Sequence, residues 1–82
     1  MQVRVELFGR LASQSGAREL TLEMPVGATL RDVAAALAER FPVLTWVPSI
    51  CRPVRNLEYV SWDTPVTADD EVSFIPPVSG GV

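Results

Sequence analysis

Thr29-Leu30-Arg31-Asp32-Val33-Ala34-Ala35-Ala36-Leu37-Ala38-Glu39-Arg40-Phe41 is the one stretch of this chain long and periodic enough to make a full helix, and its setting decides the fold. Leu30, Val33, Ala34, Leu37 and Phe41 fall at i, i+3, i+4, i+7 and i+11, which places them on one apolar stripe. Thr29 is positioned as the N-cap. Asp32, three residues on, is an acidic variant of the capping box, near the positive end of the helix dipole. Pro42 ends the helix because its ring and missing N–H cannot continue the ladder. A helix with a single apolar stripe must lay it against another layer, so the flanking segments have to supply one.

Towards the N-terminus, Pro25 and Gly27 separate the helix from a strand over Glu19 to Met24 with Leu20, Leu22 and Met24 inward. Gly9 and Gly16 bracket Arg10 to Ser15, a segment with room for one or two helical turns. Before it, Val3, Val5 and Leu7 alternate with Arg4 and Glu6 in the period-two pattern of a half-buried strand, which puts Phe8 on the polar face. These two strands are expected to be neighbours. Towards the C-terminus, Val43 to Ile50 reads as an irregular apolar connection or a single short turn. Arg52 to Asn56 follows as a short strand, in which Pro53 suggests an edge or a strand start. Asn56-Leu57-Glu58 is a turn candidate, Tyr59 to Trp62 a further strand, and Asp63-Thr64-Pro65 and Thr67 to Asp70 polar turns. Glu71 to Ile75 forms the last strand, with Val72 and Phe74 on one face and Ser73 and Ile75 on the other. The sum is an α+β fold, a small mixed sheet packed on one main helix. The domain is expected over residues 1–75, with residues 76–82 as an extended tail.

Composition narrows the function. With 82 residues the chain holds one domain with one modest core, and 48% hydrophobic against 21% charged residues is the balance of a folded protein. No run approaches the roughly 20 apolar residues that span a bilayer, and the start of the chain lacks the apolar stretch of a signal peptide, so we expect a cytoplasmic protein. The single cysteine, Cys51, has no partner for an internal disulfide. Without histidine the usual zinc spacings are missing too, and no metal is expected. Free cysteine is usually a small buried hydrophobe, and Cys51 is read that way rather than as a persulfide carrier. A net charge of -3, with scattered arginines and no lysine, gives no footprint for nucleic acid.

The composition shifts only at the end. Pro76-Pro77 cannot extend a ladder and favours a stiff exit from the sheet, and Val78-Ser79-Gly80-Gly81-Val82 has little side chain to pack. From Pro77 onward an extended chain reaches on the order of 20 Å, enough to thread a narrow channel. A bare Gly-Gly end is often no more than a loose terminus. What distinguishes this one is the succession: a last strand feeding directly into Pro-Pro, then small residues, then Gly-Gly.

Asp70-Glu71-Val72, Phe74-Ile75 and Pro76-Pro77-Val78-Ser79-Gly80-Gly81 together resemble the signature ending of the small subunit of molybdopterin synthase, in the MoaD/ThiS family of ubiquitin-like sulfur carriers with a β-grasp fold. Supporting matches are Val5 to Leu11, Gly27-Ala28-Thr29-Leu30, Asn56, Val60-Ser61 and Asp63-Thr64-Pro65-Val66; Pro42 to Cys51 matches least. The resemblance implies a carrier with no bound cofactor, inert alone. Its Gly81 carboxylate would be adenylated with ATP by an E1-like partner enzyme and converted to a thiocarboxylate. The synthase's large subunit would then receive the tail and transfer sulfur to a cyclic pyranopterin, giving a dithiolene.

Two residues depart from the family pattern. Asp69 stands where a glycine is usual, a change eased by the tolerance of Asp for left-handed backbone. Val82 succeeds Gly81 and ties its carboxyl into a peptide bond, so either a protease removes Val82 first or the carrier as written is inactive, an engineered extra residue being the third alternative. A docking patch is also expected. Phe8 and Ile75 lie on the strand faces opposite the core, and Tyr59 matches an interface position of the family; with Pro76, Pro77, Val78, Ser79 and Gly80 they would bind the partner. Two other functions are compatible with the same tail: sulfur carriage for another pathway, of thiazole, cysteine or siderophore type, and a ubiquitin-like modifier in which Gly81 forms an amide with a target lysine.

Overall fold

The computed structural model describes residues 1–77, so Val78, Ser79, Gly80, Gly81 and Val82 of the expected site lie outside the described residues. The periodic stretch after Thr29 forms helix α2, Leu30–Arg40. Its capping box is complete: the Asp32 N–H donates to Thr29 Oγ1 at 3.3 Å, and the Thr29 N–H donates to Asp32 Oδ2 at 2.9 Å. Leu30, Val33, Ala34 and Leu37 are all fully buried, as the stripe requires.

The layer beneath is a five-stranded sheet in the order β2-β1-β5-β3-β4. Strand β1 is Gln2–Glu6, β2 Glu19–Glu23, β3 Arg52–Arg55, β4 Glu58–Tyr59 and β5 Glu71–Ile75. β1 pairs antiparallel with β2 (Val3 opposite Leu22) and parallel with β5 (Val5 opposite Val72). β5 pairs antiparallel with β3, Pro53 opposite Phe74. This mixed sheet with its crossover helix is the expected ubiquitin-like β-grasp. Val3, Val5, Val72 and Phe74 face α2, and Trp62 stacks on Phe74 with ring centroids 5.8 Å apart. Fully burying a side chain such as Phe74 contributes about 1.5 to 3 kcal/mol, so a handful of these contacts decides the stability of a domain this small.

The structure corrects the sequence reading at several points. Val43 to Ile50 is not an irregular connection or a single turn: it takes part in a 3₁₀ turn, Pro42–Leu44, and forms a short helix α3, Val47–Ile50. Leu44 and Val47 point into the core and fix both pieces, a tertiary cause that the local sequence does not display. Between Gly9 and Gly16 lies helix α1, Gly9–Ser15, anchored by buried Leu11.

Pro53 is neither at an edge nor at a strand start, since β3 lies between β5 and β4. Its carbonyl accepts from the Val60 N–H at 3.1 Å, beyond the two residues of β4. The donor that proline lacks would therefore point past the end of β4, where its loss costs little. The strand expected over Tyr59 to Trp62 is only Glu58–Tyr59, because Trp62 turns inward onto Phe74. Asp69 needs no left-handed tolerance. Among the described residues the non-glycine positions with positive φ are Asn56 (53°) and Leu57 (69°), the two central residues of the β3–β4 hairpin.

Candidate functional site

The end of β5 is the root of the tail, and the topology brings two other chain segments to it. β1 runs parallel to β5, so Phe8 and the start of α1 lie at the same end; β3 runs antiparallel, so it begins there, with Arg52 opposite Ile75. Pro76 and Pro77 leave the sheet between these neighbours.

Register sorts the side chains by face. Val5 opposite Val72 and Pro53 opposite Phe74 belong to the helix-covered face, so Glu6, Ser73, Val54 and Tyr59 form a row across the other. Arg52 and Ile75 make the next row. Phe8 has extended backbone (φ -123°, ψ 159°), so continuing the β1–β5 register by two residues sets it in line with Ile75. Gly9 comes next with φ 51°, a left-handed step that glycine takes without strain and that turns the chain from strand into α1.

Phe8 and Tyr59 are 51% and 54% exposed, and Ile75 is part-buried beside them. Phe8 is placed differently from the sequence reading: it lies beyond β1, as the N-cap residue of α1, yet still on the open side. A groove of about 470 Å³, lined by Glu6, Leu7, Phe8, Gly9, Ala12 and Arg18, opens beside it. The arrangement offers a partly desolvated apolar surface with a neighbouring recess, the kind of surface that receives a protein rather than a small molecule.

Sequence reasoning missed two members of this surface. Val54 is only 8% exposed although it stands on the face away from the helices and outside the core cluster. Arg52 lays its guanidinium over the Tyr59 ring at 4.0 Å. Neither has a local signal, because β3 is too short for its alternation to reveal which residue faces which way. Its register against β5 is what assigns them.

Cys51 does not join the site chemically. It is 5% exposed, and burial pushes its thiol up to about 11, with the positive charge of Arg10 pulling the other way. A thiol in that range is almost wholly protonated at neutral pH and a poor nucleophile. Among the described residues no group of histidine, cysteine, aspartate and glutamate is placed to hold a metal ion, and no helix is long and apolar enough to cross a membrane.

Comparison with known proteins adds to this geometry. The model of the ThiS family matches residues 5–81. The molybdopterin synthase sulfur carrier subunit of Arabidopsis thaliana is 37% identical over 81 residues, covering 99% of this chain and 84% of that protein. Among solved structures, SAMP1 from Haloferax volcanii superposes with a TM-score of 0.87 at 29% identity, covering 99% of this chain and 100% of the other. The small archaeal modifier protein 1 of Methanosarcina acetivorans gives a TM-score of 0.82 at 26% identity, over 98% and 96% of the two chains.

Proposed function

This chain belongs to the ThiS family, and on that premise we propose that it is the sulfur-carrier subunit of a molybdopterin synthase, with Gly81 as the sulfur-bearing residue. The observation that carries the reading is the whole-chain likeness to a protein of that name, within a family match that runs through Gly81.

The chemistry belongs to the Gly81 carboxyl and to two partners. A carboxylate oxygen attacks the α-phosphorus of ATP in the E1-like enzyme, and pyrophosphate leaves. A sulfur nucleophile then displaces AMP from the acyl adenylate, and a thiocarboxylate remains. In the large subunit its sulfur passes to a cyclic pyranopterin on the way to the dithiolene. The carrier holds no cofactor, and ATP is used by the activating enzyme. The cytoplasm, where ATP is available, is the setting of this scheme.

What this chain supplies is address and reach. Phe8, Tyr59 and Ile75, over Val54, are the address; Pro76, Pro77, Val78, Ser79 and Gly80 are the tether. Val82 keeps the carrier latent, since Gly81 has no free carboxyl until a protease cleaves after it.

Reconstitution tests the scheme. Chains ending at Gly81 and at Val82 are each combined with the adenylating enzyme, ATP, a sulfur donor, the large subunit and the pterin precursor. The Gly81-ended form is expected to yield dithiolene and the Val82 form none. Equal product from both would remove the trimming step, and none from either would remove the synthase reading.

A second reading has its own support in the likeness to the Methanosarcina modifier protein. In it the activated Gly81 would form an amide with a lysine of another protein. A ladder of conjugates on the native chain, instead of sulfur on Gly81, would favour it.

A further inference from the structure

The sheet is centred on β5, with β1 and β2 on one side and β3 and β4 on the other. Glu19 stands opposite Glu6, so the open face is crossed in order by Glu19, Glu6, Ser73, Val54 and Tyr59. The two wings of this row are opposite in character. The β1–β2 wing offers two carboxylates, whereas the β3–β4 wing offers Val54 and the Tyr59 ring with the Arg52 guanidinium over it at 4.0 Å. The next row toward the tail holds Phe8 on one side of Ile75 and Arg52 on the other. Arg52 and Glu6 take part in none of the ion pairs among the described residues, and Glu19 shares Arg4 with Glu71, at 3.4 and 3.8 Å.

A two-fold axis along β5 turns this asymmetry into a fit, because a closed pair of identical chains needs a surface that is its own complement. Sheets packed face to face keep their strands within about 30° of each other at a separation of about 10 Å. A half-turn about the axis lays β2 of one copy over β4 of the other, and β1 over β3. Ile75 then meets its counterpart at the axis, Phe8 meets the aliphatic stem of Arg52, and Glu19 meets the guanidinium held on Tyr59. Farther along β5 Glu71 approaches its own counterpart, and Arg4, 3.8 Å from it, offsets the like charges.

We propose that the open sheet face is a self-complementary docking surface whose occupant is a second copy of this chain, joined by an Arg52–Glu19 ion pair on each side of the axis. Both halves of the complementarity are present on the one chain. Stacking on Tyr59 uses the face of the guanidinium and leaves its N–H fork free for a carboxylate. A five-stranded face roughly 20 Å wide falls short of the about 800 Å² per partner of a standard interface, so the dimer is weak, with a Kd on the order of 100 µM. It covers Phe8, Tyr59 and Ile75. On the proposed function it is therefore a resting form that excludes the large subunit.

Sedimentation equilibrium of the full chain, from about 10 µM to about 1 mM, tests the pairing. The parent is expected to pass from monomer to dimer across that range. Arg52→Glu and Glu19→Arg each set like charges against one another at both contacts, and each should weaken self-association by roughly tenfold. Mixing the two variants restores an opposite-charge pair at both contacts, so the mixture should associate as the parent does. A structural defect in either variant would not give that recovery. A parent that stays monomeric throughout, or a mixture that associates no better than either variant alone, would overturn the proposal. The measurement involves no large subunit, so the dimer can fail while the sulfur-carrier reading holds, and the reverse.

Discussion

The two ends of β5 are built on opposite plans. At its start, Asn56 Nδ2 donates to Asp70 Oδ1 at 2.9 Å, the Glu71 N–H donates to Asn56 Oδ1 at 2.9 Å, and the Thr67 N–H donates to Asp70 Oδ2 at 2.8 Å. The Asn56 N–H closes the set on the Glu71 carbonyl at 2.8 Å. Polar groups there are satisfied within the chain. At its end, half-exposed Phe8 and Tyr59 surround Ile75, and Arg10 and Arg52 have aromatic rings beneath them and take no part in the ion pairs among the described residues. One end holds the fold together, and the other is left open and, on the proposed function, is where a partner protein docks. Substitutions at the first should therefore change stability, and at the second, affinity.

The largest separation is expected from Phe8→Arg. Placing a charge in the centre of an apolar docking patch should cost about 2 kcal/mol of binding, roughly 30-fold in affinity for the large subunit, with the unfolding midpoint unchanged. Normal binding by that variant would dissolve the distinction between the ends. Asn56→Ala works in the opposite sense. It strips partners from Asp70 and from the Glu71 N–H, and denaturant titration should show a loss of about 1 to 2 kcal/mol while affinity stays at the parent value.

Leu57 sharpens the picture of the stable end. A leucine at φ 69° sits in a region that disfavours side chains with a Cβ, and it is 88% exposed. Leu57→Gly should raise stability by about 0.5 to 1 kcal/mol in the same titration, because relief of the left-handed strain outweighs the added freedom of the unfolded chain.

The smallest effect is on acid sensitivity. Partial desolvation pushes the Asp70 carboxyl upward, but hydrogen bonds from Asn56 and Thr67, with Arg55 nearby, outweigh it and hold the group below its ordinary 3.8. A depressed folded value means stability fully present above 3.8 and lost as pH falls from there through the folded value. Asp70→Asn should lower stability at neutral pH and flatten the decline in that acid window. An unchanged decline would show that other carboxylates govern it.

How much of the molecule was legible in the sequence depends on which interactions are local. The α2 stripe, its Thr29–Asp32 capping box and the alternation of β1 and β5 are encoded within a few residues, and each is found where the pattern puts it. The 3₁₀ turn at Pro42–Leu44 and helix α3 were not legible, because Leu44 and Val47 are fixed by the core and not by their neighbours in sequence. Phe8 and Ile75 could be placed on the open side from alternation alone. Arg52 and Val54 could not, since their face depends on pairing with a strand some twenty residues away. Cys51 is the buried hydrophobe that a lone cysteine usually is.

The central claim is that the carboxyl of Gly81 carries sulfur. Intact-mass measurement of the protein isolated from its native cell tests it most directly. The expected species is a chain shortened by Val82, with one oxygen replaced by sulfur, a replacement that disappears when the adenylating enzyme is deleted. A population made up wholly of unmodified chains still bearing Val82 would contradict it.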